Sequence, residues 1–147
     1  MPSIVALDIE TTGLDANKDA IIEIGIVRFK GNRIEDEWSS LINPHRPIPE
    51  FIKSLTGITN EMVRNERGIH DVLGDLVEFI GDCPILGHNI RFDLSFFEKY
   101  NLFSNNVSLD TYELASVLLP AASRYNLAAL TRSLNVPQNA THRALDD

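Results

Sequence analysis

An α/β domain, one mixed sheet with helices packed on its faces, is the fold class this sequence predicts, and three observations carry the prediction. Residues 4–42 hold three β-rich segments joined by short turns, which reads as an antiparallel meander. Beyond residue 48 helical periodicities alternate with short apolar runs, which reads as further strands joined by crossover helices. With 147 residues and 44% hydrophobic content, the chain forms one domain able to bury about 70% of the surface its unfolded form exposes.

The first strand is the stretch Ile4-Val5-Ala6-Leu7-Asp8-Ile9-Glu10, where Val5, Leu7 and Ile9 share one face and Asp8 and Glu10 the other. Thr11-Thr12-Gly13 turns the chain into an exposed loop over Leu14–Asp19. Ala20–Lys30 is rich in β-branched residues and forms the second strand. Gly31-Asn32 makes a tight turn into a third strand, Arg33–Ile42, with Ile34, Trp38 and Leu41 as its apolar anchors. Pro49 starts a helix through Phe51, Ile52 and Leu55 that Gly57 ends, and Thr59 caps a short helix after it.

Ile69, Val72, Leu73, Leu76, Val77 and Ile80 fall at helical spacing, so Ile69–Ile80 is a helix closed by Gly81. Pro84–Gly87 reads as a short buried strand, followed by His88-Asn89, Phe92-Asp93 and a helix over Leu94–Tyr100. Val107–Leu109 is the fifth strand. Leu114, Val117 and Leu118 mark one helix, and Leu127, Leu130 and Leu134 another. Asn135–Thr141 is a polar loop, with Thr141 capping a final helix from about His142.

Charge and cysteine content narrow the function. A net charge of -8 argues against a general nucleic-acid binder, which needs a Lys/Arg face, but allows an acidic enzyme that holds phosphates through metals. Cys83 is the single cysteine, so no internal disulfide forms, and packing is its expected role. With neither a signal peptide nor an apolar run near the roughly 18 residues a membrane span needs, a soluble cytoplasmic protein without membrane contact is expected.

Asp8 and Glu10, side by side on an otherwise apolar strand, repel each other and lose hydration unless a cation sits between them, and a hard divalent metal fits. In open α/β sheets sites lie beyond the carboxyl ends of parallel strands, where Asp93 would join them. His142 with Asp146 and Asp147 closes the chain. Four acids neutralise two divalent cations, and metals about 4 Å apart activate water and stabilise a leaving oxyanion in phosphodiester hydrolysis. A histidine, titrating near neutral pH, supplies the base. Helical spacing puts Asp146 on the face of His142 and Asp147 on another, and leaves open which of the two faces the metals.

The segments DIETTG at Asp8–Gly13, GHNIRFD at Gly87–Asp93 and HRALDD at His142–Asp147 resemble the three motifs of the DEDD-h 3′→5′ exonucleases, the family of the proofreading epsilon subunit of DNA polymerase III. LTGITNEMV at Leu55–Val63 is similar to a further segment of that family. The resemblance implies a ribonuclease H-like five-stranded sheet. It also implies Asp8, Glu10, Asp93 and Asp147 as ligands of two Mg²⁺ or Mn²⁺ ions, and His142 as general base. The Thr11-Thr12-Gly13 turn would cradle the terminal nucleotide through amides and hydroxyls, Leu14 would wedge against its base, and Phe92 would pack beneath.

The implied substrate is the 3′ end of single-stranded DNA, in replication, proofreading or repair. RNA trimming within the same family, or a non-catalytic docking domain, is the alternative. Because the family carries its last aspartate on a full helix, residues 1–147 are expected to be an exonuclease domain cut short there, the N-terminal part of a longer protein with polymerase or helicase segments. His88 and Asn89 are expected to hydrogen-bond locally, Glu23 to play a structural part or meet a buried donor near the site, His45 and His70 to be surface residues, and Arg91, Lys99, Arg124 and Arg143 to be solvated surface or contacts to the phosphate backbone.

Overall fold

The computed structural model of the chain describes residues 1–139 and 142–147. Five strands, β1 (Ile4–Thr11), β2 (Ile21–Lys30), β3 (Arg33–Leu41), β4 (Ile85–Gly87) and β5 (Ser108–Asp110), form one sheet in the order β3-β2-β1-β4-β5. The first three pair antiparallel, and β4 and β5 run parallel to β1. Helices α1 (Glu50–Thr56), α2 (Asn60–Val63) and α3 (Ile69–Ile80) precede β4, α4 (Ile90–Glu98) joins β4 to β5, and α5 (Thr111–Leu118) and α6 (Leu127–Ser133) follow.

The two faces of β1 have different fates. Val5, Leu7 and Ile9 pack with Ile24 and Ile26 of β2 against Val72, Leu76 and Ile80 of α3 and Phe96 and Phe97 of α4, forming the main core. Ala6 and Asp8 turn to the other side, toward Leu127 of α6 and the C-terminal residues. The register slips between Glu10 and Thr11, because Glu10 opposes Glu23 while Thr11 opposes Ile21. Ile22 is the residue left over, and it anchors a second cluster with Ile48, Ile58 and Val63. A bulge of this kind bends the strand and re-aims its side chains, here one residue past Glu10.

Several expectations change. Ile34 is 59% exposed, because β3 is an edge strand whose outer half nothing covers, so Trp38 and Leu41 alone anchor it, each half-buried. Helix α4 begins at Ile90 rather than Leu94: Asn89 adopts a left-handed backbone (φ 56°) and starts the helix almost directly after β4. The last strand is displaced by one residue, which leaves Val107 exposed. Helix α5 forms where Leu114, Val117 and Leu118 predict it but buries no residue. Residues 142–147 make a turn instead of a helix, closed by Asp146 N and Asp147 N donating to Arg143 O (2.9 and 3.0 Å). A single turn has too few hydrogen bonds to persist as a helix. Thr141, read as its cap, lies outside the described residues. No helix among the described residues is long and apolar enough to cross a membrane.

Candidate active site

The site grows from the central strand. Asp8 and Glu10 are half-buried on the β1 face away from the main core, and their cross-strand partners on β2 are Gly25 and Glu23. Asp93, 3% exposed in the first turn of α4, arrives from the neighbouring edge. Because β4 ends at Gly87, the Ile9 amide lies beyond its reach, and the Asp93 carboxylate accepts that hydrogen bond instead (3.0 Å).

Burial raises all three acids, and repulsion from neighbouring carboxylates adds to it. Desolvation, then the charges of Asp93, Glu10, Asp147 and Glu23, pushes Asp8 from 3.8 up to about 9. Glu10 rises from 4.5 to about 7, through desolvation and then Asp147, Glu23 and Asp93, with Arg143 pulling it back. Asp93 rises from 3.8 to about 7 through desolvation, opposed by the amides of Ile9 and of its own backbone.

Raised carboxyl values favour the protonated, folded state, so this stability is present at low pH and is lost as pH climbs from about 4 through about 9. Chelator-treated protein should melt at a higher temperature at about pH 5 than at about pH 8. Added Mn²⁺, which prefers deprotonated carboxylates, should raise the alkaline melting temperature more than the acidic one. A metal-free melting temperature that climbs with pH across this window would contradict the crowding of these acids.

The C-terminal turn is docked onto β2. Arg143 donates from Nε to both Glu23 carboxylate oxygens (3.1 and 3.0 Å) and from a terminal nitrogen to Oε1 (2.7 Å), while Ala144 N donates to Oε2 (3.0 Å). Glu23 is 5% exposed, so this pair is the buried anchor of the turn. It also relieves a conflict in the sheet, since Glu10 and Glu23 are like charges directly opposite each other. Next to the pair, Ala144 lies flat on Gly25, where a Cβ would stand 2.4 Å from the Ala144 carbonyl carbon. The docked turn brings His142 and Asp147 to Glu10: one potential ligand atom from each of the three lies within 4.8 Å of the others. Asp147 is held by Gln138 Nε2 (2.5 Å) and by His142 N (2.7 Å). Asp146 lies beside it in the lining of a cavity of about 200 Å³ that also contains Asp8 and His88.

Glu23→Gln keeps an acceptor but loses the charge that holds Arg143. Partners that orient metal-binding groups usually contribute about 10–100-fold, and the variant should lose about tenfold in kcat with little change in KM. Unaltered kcat in steady-state assays would show that the pair does not position His142 and Asp147.

The loop after β1 is tied together by its own side chains. Thr11 and Thr12 are buried, and their hydroxyls serve the loop itself: Thr11 Oγ1 donates to Gly13 O (2.6 Å), and Thr12 Oγ1 donates to Asp19 (3.3 Å) and accepts from Ala20 N (3.0 Å). The Thr12 amide is likewise engaged, with Ala20 O at 2.8 Å. A Cβ at Gly13 would meet the Asp19 carboxylate at 2.5 Å, so that side chain would have to shift. Leu14 projects from the loop, 87% exposed. Phe92 packs edge-on against Phe96, with ring centres 5.2 Å apart. His88 and Asn89 bond locally, through Nδ1 to Thr111 Oγ1 (2.9 Å) and through N to Asp110 (3.0 Å). Nε2 of His88 is buried without a partner among the described residues.

Sequence reading missed Gln138, Asp19 and the contact under Ala144. Only Gly25 carried a signal, since a glycine inside a strand marks a close approach by other backbone.

Hard carboxylate oxygens crowded until they hold their protons, beside a histidine, are the donor set that divalent cations complete, so these residues fit a metal centre. The sheet order and this acidic site define a hydrolase of ribonuclease H-like fold. Comparison with known proteins makes the class specific. The RNase_T exonuclease family model matches residues 5–147, and the chain belongs to that family. That family is one of exonucleases.

The chain is 37% identical over 148 residues to the DNA polymerase III subunit epsilon of Aquifex aeolicus, covering 97% of this chain and 73% of that one. It is 39% identical to the 3′-5′ exonuclease DinG of Staphylococcus epidermidis and 41% identical to the PolC-type DNA polymerase III of Thermotoga maritima. Those two matches cover 96% and 97% of this chain but only 16% and 11% of the relatives. The fold matches exonuclease X in complex with 5′-overhanging duplex DNA at a TM-score of 0.81 and 27% identity, covering 97% of this chain and 82% of that one.

Proposed function

We propose that this chain removes nucleotides one at a time from the 3′ end of single-stranded DNA in replication, proofreading or repair, releasing nucleoside 5′-monophosphates. The carrying observation is the meeting of Glu10, His142 and Asp147 within 4.8 Å beside the two coupled acids Asp8 and Asp93. Asp8, Glu10, Asp93 and Asp147 would hold two divalent cations, Mg²⁺ or Mn²⁺, which supply charge neutralisation for the attacking and leaving oxygens when bound.

The chain's own residues do the rest. His142, exposed at the mouth of the site, takes the proton of the attacking water. The new bond forms between that water and phosphorus, and the bond from phosphorus to O3′ of the preceding nucleotide breaks. Leu14 stacks against the terminal base, and Phe92 backs the pocket under it. Thr11, Thr12 and Gly13 cradle the terminal nucleotide, and the short loop bonds of the two threonines keep Leu14 in place.

Exonuclease X in its DNA complex and the replication enzymes above favour DNA as substrate. The PolC-type and DinG relatives carry the matched region inside far longer chains, which favours polymerase or helicase segments as its working neighbours. A 5′-labelled DNA strand and a matched RNA strand, incubated in Mn²⁺ or chelator, test the reading. Metal-dependent laddering from the 3′ end, faster on DNA, is expected. Faster loss of RNA would reassign the substrate, and no cleavage of either would leave a docking domain.

A further inference from the structure

A concavity lined by cationic side chains lies apart from the acidic site. Between the nucleotide loop, the segment after β3, the start of α3 and the end of α4 lies a cavity of about 210 Å³ whose lining includes Asp19, His45, Arg46, His70, Lys99 and Tyr100. Half of the four histidines in the chain are here. Among the described residues, six of the 13 Lys and Arg side chains reach a carboxylate within 4 Å, and Arg46 and Lys99 are not among them.

Both cations are fixed in place by backbone. Arg46 donates to Lys18 O, and Lys99 Nζ to Ala16 O (3.4 Å), so each braces the loop that carries Leu14 with one N–H and has further donors to offer. The one acid in the lining, Asp19, has both oxygens engaged, by Thr12 and by the Asp15 amide. Tyr100 forms an aromatic wall, with the His70 ring edge-on at 5.4 Å and Lys99 5.5 Å above its ring centre. Loop segment 42–45 is set by its own bonds: Asn43 accepts from His45 N (2.9 Å) and donates to Arg64 O (3.0 Å).

Cations with spare donors around an aromatic wall are the elements by which proteins hold single-stranded nucleic acid without reading its sequence. We propose that this concavity is a second strand subsite, binding a phosphodiester upstream of the 3′ end through Arg46 and Lys99, with a base against Tyr100. Asp19 joins the two sites physically, because it lines the concavity and also holds Thr12 and the turn at Gly13. The inference rests on the proposed action on a strand end. It adds to that reading a hold on the strand by which an enzyme of net charge -8 retains its polyanionic substrate.

The test uses Arg46→Gln/Lys99→Gln, which removes both charges and leaves a polar side chain at each position. Binding of a fluorescein-labelled dT8 strand, read by anisotropy in chelator buffer, should weaken about tenfold, and the slope of log affinity against log salt should shrink by about one, as expected for one to two lost phosphate contacts. In Mn²⁺, kcat/KM on the oligonucleotide should fall about tenfold relative to kcat/KM on the p-nitrophenyl ester of thymidine 5′-monophosphate, which has no upstream phosphate. Wild-type affinity and salt slope in the variant overturn the subsite. So does an equal loss on ester and oligonucleotide, which would make the two cations loop braces only. A wild-type chain that binds the strand through these residues yet cleaves neither substrate would instead sink the exonuclease mechanism and leave the subsite standing.

Discussion

Asp8→Asn is expected to lower kcat on a labelled single strand by about a thousandfold, the scale at which losing one of the groups that organise transition-state charge is felt. The side chain keeps its size and loses only its charge. That charge sits where burial and four neighbouring acids oppose it, with the carboxyl lifted to about 9. The same substitution should therefore raise the melting temperature of chelator-treated protein at about pH 8, because it removes a carboxyl that the fold forces to keep its proton at a pH where the unfolded chain releases it. Activity and metal-free stability moving in opposite directions is the signature of a residue retained for chemistry. Activity within tenfold of wild type would remove Asp8 from the metal centre.

Gly25→Ala is the second large effect. Its Cβ would stand 2.4 Å from Ala144 C, 2.5 Å from Ala144 O and 2.5 Å from Leu145 N, all backbone atoms with no rotamer to escape into. Either β2 or the C-terminal turn must move. β2 is paired on both edges and carries Ile24 and Ile26 in the main core, so the turn yields. Overpacking of this kind usually costs about 1–3 kcal/mol, but the larger consequence is functional, since His142 and Asp147 leave Glu10 with the turn. A loss of about a hundredfold in kcat, with a melting temperature lowered by only a few degrees, is expected from activity assays and thermal melts. Wild-type activity in this variant would mean that the turn reaches the site without resting on Gly25.

What was legible in the sequence follows from how local each cause is. The alternation of β1 and the periodicity of α3 with the glycine that closes it are local signals, and both elements appear at the expected residues. Ile34 misleads because an apolar residue on a strand does not reveal whether anything covers it, and an edge strand leaves it bare. The start of α4 misleads because Asn89 turns the chain through a left-handed conformation without glycine or proline to announce it. Within the site, the acids on β1 were legible because two carboxylates on one face of an apolar strand demand a cation. The ion pair between Glu23 and Arg143 spans 120 residues, and no spacing rule connects its partners. Gln138 escaped for the same reason, since its bond to Asp147 depends on how a polar loop folds back.

The shortness of β4 has a spectroscopic consequence. Since the Ile9 amide completes its hydrogen bond on a side chain instead of a strand, that amide proton is wired to the ionisation of Asp93. A pH titration followed at this one backbone resonance would show the carboxyl losing its proton near about pH 7 in the metal-free protein, with the inflection moving to lower pH when a divalent cation is added. The sheet thus contains its own indicator: a single nitrogen-bound hydrogen whose chemical shift registers the charge state of the acidic site.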